Sequence, residues 1–263
     1  MGSPEARTPE HGARVDLSAQ PAYDRIGVGY AQHRRPDPRI EAKIHDALGG
    51  ARTVVNIGAG AGSYEPADRA VIAVEPSGTM LAQRATGSAP AVHGVAEHLP
   101  FPDLAFDAAM GVLTVHHWAD VERGCSELRR VSTRQVVLTF DLALQDSLWF
   151  GREYLPESMD LDAQAPTVAQ IIDNLGGAEI VTVPVPHDCT DGFFGAYWQR
   201  PEAYLDPEVR ASISTFSLVA PALVDAAVQR LRGDLASGAW HRRYGYLLDL
   251  DELDLGYRLV VAG

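Results

Sequence analysis

Two kinds of apolar pattern alternate along the chain. Short, mostly apolar runs occur at Thr53–Ile57 (TVVNI), Val71–Val74 (VIAV), Phe106–Val112 (FDAAMGV), Gln135–Phe140 (QVVLTF) and Tyr257–Ala262 (YRLVVA). Such short runs, bounded by turn residues, predict buried strands. Ala91–His93 adds a short third strand and Glu179–Val185 a sixth, moved towards an edge by Pro184. Between these lie stretches with a helical period. Residues 38–48 predict a helix capped by Asp37, opened by Pro38 and stopped by Gly49-Gly50, with Ile40, Ile44, Ala47 and Leu48 on one face. Residues 77–86 predict another, capped by Ser77, and 120–131 a third with Val121, Cys125 and Leu128 on one face. Residues 167–175 end at Gly176-Gly177, and 221–236 carry Leu223, Ala227, Leu231 and Leu235 in register. Strands that alternate with helices predict an α/β fold, a parallel sheet with helices on both faces. The least regular stretches, 141–165 and 186–220, are long for connections and predict lids or binding walls.

The turn that leaves the first strand reads Gly58-Ala59-Gly60-Ala61-Gly62, and Glu75 ends the next strand thirteen positions after the last glycine. In an open α/β sheet a ligand sits at the carboxyl ends of the strands. Glycines there predict a backbone that a ligand approaches closely, with N–H groups aimed at a carboxylate or phosphate. A carboxylate at the second strand's end can accept both hydroxyls of a ribose. The dinucleotide fingerprint needs a third glycine where Ser63 stands, so the spacing favours a different nucleoside ligand.

Composition narrows the partners. Hydrophobic residues make up 46 % of the 263, enough for a sizeable core, and the formal charge of −13 disfavours nucleic acid. Lys43 is the only lysine, which excludes a P-loop and leaves little room for Schiff-base chemistry. Two cysteines, Cys125 and Cys189, are too few for a disulfide scaffold and predict a cytoplasmic protein. No apolar run approaches the ~18 residues of a membrane span. Residues 1–20 lack a signal pattern and read as a mobile leader, and 21–263 as a single domain. Its core occupies about 38–185 and 256–263, with a lid-like helical insertion over about 186–255. A homodimer is left open.

Together with the run Ala96-Glu97-His98-Leu99-Pro100-Phe101 and the run Leu113-Thr114-Val115-His116-His117-Trp118, the loop and the stretch Glu75-Pro76-Ser77 with Met80 resemble the class I S-adenosylmethionine-dependent methyltransferases. The resemblance covers about residues 53–141, and it is to the small-molecule branch that includes enzymes of quinone biosynthesis. It implies a Rossmann-like, seven-stranded, mostly parallel sheet and S-adenosylmethionine as cofactor. Gly58, Ala59, Gly60 and Gly62 would hold the methionine moiety and Glu75 the ribose. Pro76, Ser77 and Met80 would border the adenine, Ala96 and Glu97 would meet its polar edge, and Leu113, Thr114 and His117 would close the site under the sulfonium. An upstream flap from Tyr23 would bring Tyr30 and Arg34 to the methionine carboxylate. Two departures stand out. Asn56 occupies a position where the family usually has an acid, and Pro66 leaves room for at most one helical turn after the loop. Tyr64 or Glu65 should therefore form part of a more open cofactor wall.

Methyl transfer asks the protein to align the acceptor with the methyl group, exclude water and take a proton where the acceptor carries one. His116 and His117 follow the fourth strand and are candidate bases, as is His187, with Asp188 beside it. The His187–Asp191 stretch has no ligand pair at metal spacing, so no metal is expected. Trp118, Trp149, Tyr154, Phe193, Phe194 and Tyr197 are candidates for an acceptor pocket. Deleting or loosening the insertion should then raise the acceptor's KM and spare cofactor affinity. The expected activity is methyl transfer to a small, partly apolar molecule. A nicotinamide-dependent oxidoreductase and a non-catalytic adenosyl-ligand-binding regulator remain as alternatives.

Overall fold

The computed structural model describes residues 35–263 apart from residues 146 and 162. The leader over 1–20 and the flap residues Tyr30 and Arg34 lie outside the described residues.

Among the described residues nine strands form: β1 (Thr53–Ile57), β2 (Ala70–Glu75), β3 (Ala91–His93), β4 (Phe106–Val112), β5 (Ser132–Phe140), β6 (Glu179–Thr182), β7 (Val185–Pro186), β8 (Glu252–Leu253) and β9 (Tyr257–Ala262). Seven of them make one sheet in the order β3-β2-β1-β4-β5-β9-β6. Strands β1 to β5 run parallel to one another, and β9 lies antiparallel between β5 and β6. The order reverses between β1 and β4, which opens a crevice at the carboxyl ends of those strands.

The expected sixth strand over 179–185 is broken. Pro184 has no N–H to give to β9, so β6 stops at Thr182, and Val185 and Pro186 turn away to pair with β8 in a separate ribbon.

Helices α1 (Pro38–Ala47), α2 (Gly78–Ala82), α3 (Val121–Val131), α4 (Leu142–Gln145), α5 (Glu157–Leu161) and α6 (Val168–Asn174) accompany the first six strands. Asp37 and Asp120 cap α1 and α3, each through a side-chain oxygen that accepts a main-chain N–H, and Thr167 and Gln170 form a capping box on α6. Helix α2 is shorter than the expected 77–86: its end tightens at Gln83 and Arg84, whose N–H groups reach the Met80 and Leu81 carbonyls, and the chain leaves the helix there. The helical insertion follows β7. It holds α7 (Pro207–Ala211), α8 (Ser214–Leu218), α9 (Pro221–Ala236) and α10 (Ala239–Tyr244), with three short 3-10 turns.

Alternate strand residues feed two cores. On one face Val55, Ile57, Val74, Ala109 and Val137 pack against Cys125, Leu128 and Val131 of α3 and Val168 and Ile171 of α6. On the other, Val54, Ala108, Met110, Val136 and Leu138 meet Ile40 and Ile44 of α1. The second core runs on without a break into the insertion and the 148–155 stretch through Trp149, Phe150, Trp198, Tyr204 and Trp240, forming a helical cap. No helix among the described residues is long and apolar enough to cross a membrane.

Candidate functional site

The loop after β1 contains no helix at all before β2. Gly58, Gly60 and Gly62 have φ values of +64°, +54° and +99°, a region that only glycine enters cheaply. The main-chain N–H groups of Gly58 and Ala59 both reach the Val74 carbonyl, at 2.8 and 3.1 Å, which fastens the loop to the end of β2. Just beyond, the buried Glu75 carboxylate accepts from Gly60 N–H (2.7 Å) through Oε2 and from Ser77 N–H (2.9 Å) through Oε1. An ionised carboxylate has about four acceptor positions, so its oxygens can also take a pair of vicinal hydroxyls. Ser77 is fully buried and caps α2 through Met80 N–H, and Pro76 gives its carbonyl to His93.

The bare side of each glycine turns towards protein. A Cβ on Gly58 would lie 1.9 Å from Thr114 Oγ1, on Gly60 3.3 Å from Met80 Cε, and on Gly62 3.1 Å from Glu65 Oε2 and 3.3 Å from an Arg84 nitrogen. These glycines are therefore needed for packing between the loop and its neighbours, a reason the spacing alone did not disclose.

Asn56 is buried at the end of β1 and donates to Glu65 Oε1 at 3.2 Å. Glu65 is in turn paired with Arg84 at 2.9 and 2.7 Å, both side chains almost fully enclosed. Arg84 escaped the sequence reading, since nothing in its own neighbourhood marks it. Tyr64, expected in a cofactor wall, is instead core. Its φ is +64°, it is 1 % exposed, and its hydroxyl donates to Asp191 of the insertion at 2.7 Å. Thr190 N–H and Arg39 both reach Asp37, and the Arg39 bonds help to hold that carboxyl down at about 2 against the upward push of burial.

Leu113 takes a φ of +50° at the end of β4 and sends the chain into a 3-10 turn over Val115–His117. Thr114 is buried against Gly58, which ties the two strand ends together. The His116 and His117 rings lie 3.8 Å apart, and His116 also faces Phe140 at 5.0 Å. Burial lowers both: His116 falls well below its ordinary value, helped by His117, and His117 comes down to about 4. His117 is nevertheless partly exposed to solvent. His116 Nδ1 is buried and has no hydrogen-bond partner among the described residues.

Among the remaining candidates, Ala96 is buried in the α3-side core, and Glu97 uses its carboxylate to accept Asp120 N–H at 3.1 Å. Trp118 does not join the aromatic cap. Gly124 of α3 leaves a groove that the indole fills, on the opposite face of the sheet. His187 lies on the β7–β8 ribbon with Asp251, and Asp188 is paired with Arg39 at 2.7 Å, so neither is brought to the glycine loop. Trp149 is packed on all sides by Phe150, Tyr154, Tyr204, Trp240 and Tyr244, and its indole N–H donates to Trp198 O. The Tyr154 hydroxyl is engaged by Asp234 and Arg243. Both are cap core and leave no surface for an acceptor. Phe193 is buried edge-on to Tyr257, whereas Phe194 and Tyr197 retain open surface. Among the described residues no group of three His, Cys, Asp or Glu converges as a metal cage.

The sequence profile of a family described as "Methyltransferase domain" matches residues 55–140. Among solved structures, a protein described as a methyltransferase from an antibiotic biosynthesis pathway of Anabaena variabilis is 34 % identical, with a TM-score of 0.83 over 88 % of this chain and 99 % of that one. A protein of Thermotoga maritima described as a SAM-dependent methyltransferase is 24 % identical, with a TM-score of 0.50 over 62 % of this chain and 84 % of that one, a likeness of fold. No curated protein matches the chain.

Proposed function

Given that the chain belongs to the class I S-adenosylmethionine-dependent methyltransferases, we propose that it methylates a small, partly apolar molecule in the cleft between the end of β4 and the helical cap. The reading stays with the small-molecule branch that the runs Ala96–Phe101 and Leu113–Trp118 resemble. Two free, buried cysteines fit a reducing compartment, and we place the protein in the cytoplasm.

The observation that carries this reading is the Glu75 carboxylate, fixed by two main-chain donors beside the glycine loop. It takes the ribose hydroxyls, while Gly58–Gly62 holds the amino-acid end and Met80 borders the base. When bound, S-adenosylmethionine supplies the activated methyl group. Asn56 adds no charge to this site, and the carboxylate nearest it is already paired with Arg84.

His117 is the proton acceptor in this reading, because it combines solvent exposure with a position in the turn at the end of β4. At neutral pH it is uncharged, so it puts no positive charge beside a sulfonium. An imidazole lowered this far is a weak base. That suffices where the acceptor atom becomes strongly acidic as it gains the methyl group. Phe194 and Tyr197 supply apolar wall.

The test uses calorimetry with S-adenosylhomocysteine and a labelled-methyl product search in a small-molecule extract. Glu75→Ala should weaken the nucleoside ligand at least tenfold, and wild type should label a low-molecular-weight product. Unchanged affinity in the variant, or binding of a nicotinamide dinucleotide in its place, would sink the assignment.

A further inference from the structure

Class I loops are expected to run into a helix whose first turn stiffens the glycine segment. Here β1 and β2 are joined without one, and Pro66 forbids its formation. A loop with three positive-φ glycines in five residues has little of its own to hold it in one shape. Something else must do so.

We propose that Arg84 and Glu65 form a clamp that stands in for the missing helix and positions Gly60, and through it Glu75, for the cofactor. Arg84 follows α2 by two residues. One guanidinium nitrogen donates to Gly60 O at 3.3 Å, and the other reaches both Glu65 oxygens at 2.9 and 2.7 Å and the Ala89 carbonyl at 3.1 Å. Glu65 is also held by Asn56 at 3.2 Å, which anchors it to the end of β1. Gly60 is thus gripped at its carbonyl by Arg84 and at its N–H by Glu75. One guanidinium nitrogen is shared by the two carboxylate oxygens while the other is given to Gly60 O, so the charged pair ties the loop carbonyl to Glu65. The clamp lies directly against the bare side of Gly62, where any side chain would push it away.

Enclosure of the pair speaks for a positioning role. A buried ion pair gives little net stability, because desolvation offsets most of the Coulomb gain. The pair is also neutral as a whole, so Glu65 has no free charge with which to attract a ligand's ammonium group. What remains is geometric control of the loop.

This inference rests on the adenosyl-ligand reading above, and its test separates the two. Wild type and Glu75→Ala are titrated with S-adenosylhomocysteine first; absence of binding to wild type would defeat that reading and leave no ligand for a clamp to serve. With binding established, Arg84→Met, Glu65→Ala and Glu65→Gln are titrated with S-adenosylhomocysteine and with 5′-methylthioadenosine, at temperatures where each variant's circular dichroism shows it folded. Arg84→Met and Glu65→Ala should each weaken both ligands at least tenfold, because both ligands share the ribose that Glu75 holds. Glu65→Gln keeps an acceptor for Arg84 and should recover most of that loss. Loss confined to S-adenosylhomocysteine, with Glu65→Gln as poor as Glu65→Ala, would show that Glu65 instead contacts the amino-acid end and would overturn the proposal. Unchanged affinity for both ligands in the folded variants would overturn it equally, as it would leave the pair a role in stability alone.

Discussion

His116 and His117 show how position converts a residue type into a property. An imidazole in water is half-protonated near neutral pH, but these two rings, tilted against each other in the turn after β4, resist charging. That has a consequence for stability whose sign is fixed. Both groups have folded values below the ordinary 6.5, so as pH falls the unfolded chain takes up their protons first. Their effect is absent above that value, and stability declines from there towards pH 4, where His117 itself begins to charge in the folded protein. Asp37 acts lower, between its ordinary 3.8 and about 2. The thermal midpoint should therefore fall from pH 6.5 to pH 4 in wild type, and fall less steeply in His116→Asn/His117→Asn. Parallel curves for the two proteins would mean that the rings titrate as they do in water. His117→Asn alone should leave S-adenosylhomocysteine affinity within about threefold and lower turnover by a factor on the order of 10².

The glycine loop and the turn after β4 are interlocked elements, and the lock is Gly58 against Thr114. An alanine at 58 must adopt a φ of +64° and also displace the threonine hydroxyl, which a Cβ would meet at 1.9 Å. The first costs about 1–2 kcal/mol and the second about 1–3 kcal/mol more. Gly87 isolates the first of these costs, since its φ is +93° and nothing lies within 4 Å of the Cβ position. Urea unfolding should find Gly58→Ala more destabilising than Gly87→Ala by the packing difference, and equal values would remove the lock. Elements of this kind were only partly legible from sequence. The bounds of β1, β3, β4, β9 and α9 are those the apolar pattern predicts, because each is a continuous or periodic run closed by turn residues. Pro66 likewise announced the missing helix. The site's supports were hidden for one physical reason: they join residues far apart in the chain. Arg84 meets Glu65 across 19 positions and Tyr64 meets Asp191 across 127, and neither pairing leaves a periodic trace. Aromatic residues misled for the opposite reason. Trp149 and Tyr154 have the composition of a binding wall and the burial of a core, and sequence does not tell these apart.

For the molecule as a whole, the continuity of the second core changes what the cap can do. A lid that could be cut away was the expectation for residues 186–255, with the acceptor's KM as the only casualty. Yet Trp198, Tyr204, Leu231 and Trp240 from that segment share a cluster with Ile44 of α1, with Met110 and Leu138 of the sheet, and with Leu148, Trp149, Phe150, Tyr154 and Leu155. Removing the insertion would strip that face of the sheet as well, so deletion tests folding and not acceptor affinity. The cap and the sheet should instead unfold together. Tryptophan fluorescence reports mainly the cap, through Trp149, Trp198 and Trp240, whereas Trp118 sits on the other face and far-UV circular dichroism reports helices and strands everywhere. In urea the two signals should trace one coincident transition, the mark of a single cooperative unit. Trp240→Ala, which empties a fully enclosed site, should cost about 3–5 kcal/mol and move both curves to lower urea by the same amount. If the fluorescence curve alone moved, leaving the dichroism midpoint in place, the cap would be a separable lid after all, and the acceptor cleft would open and close independently of the cofactor loop.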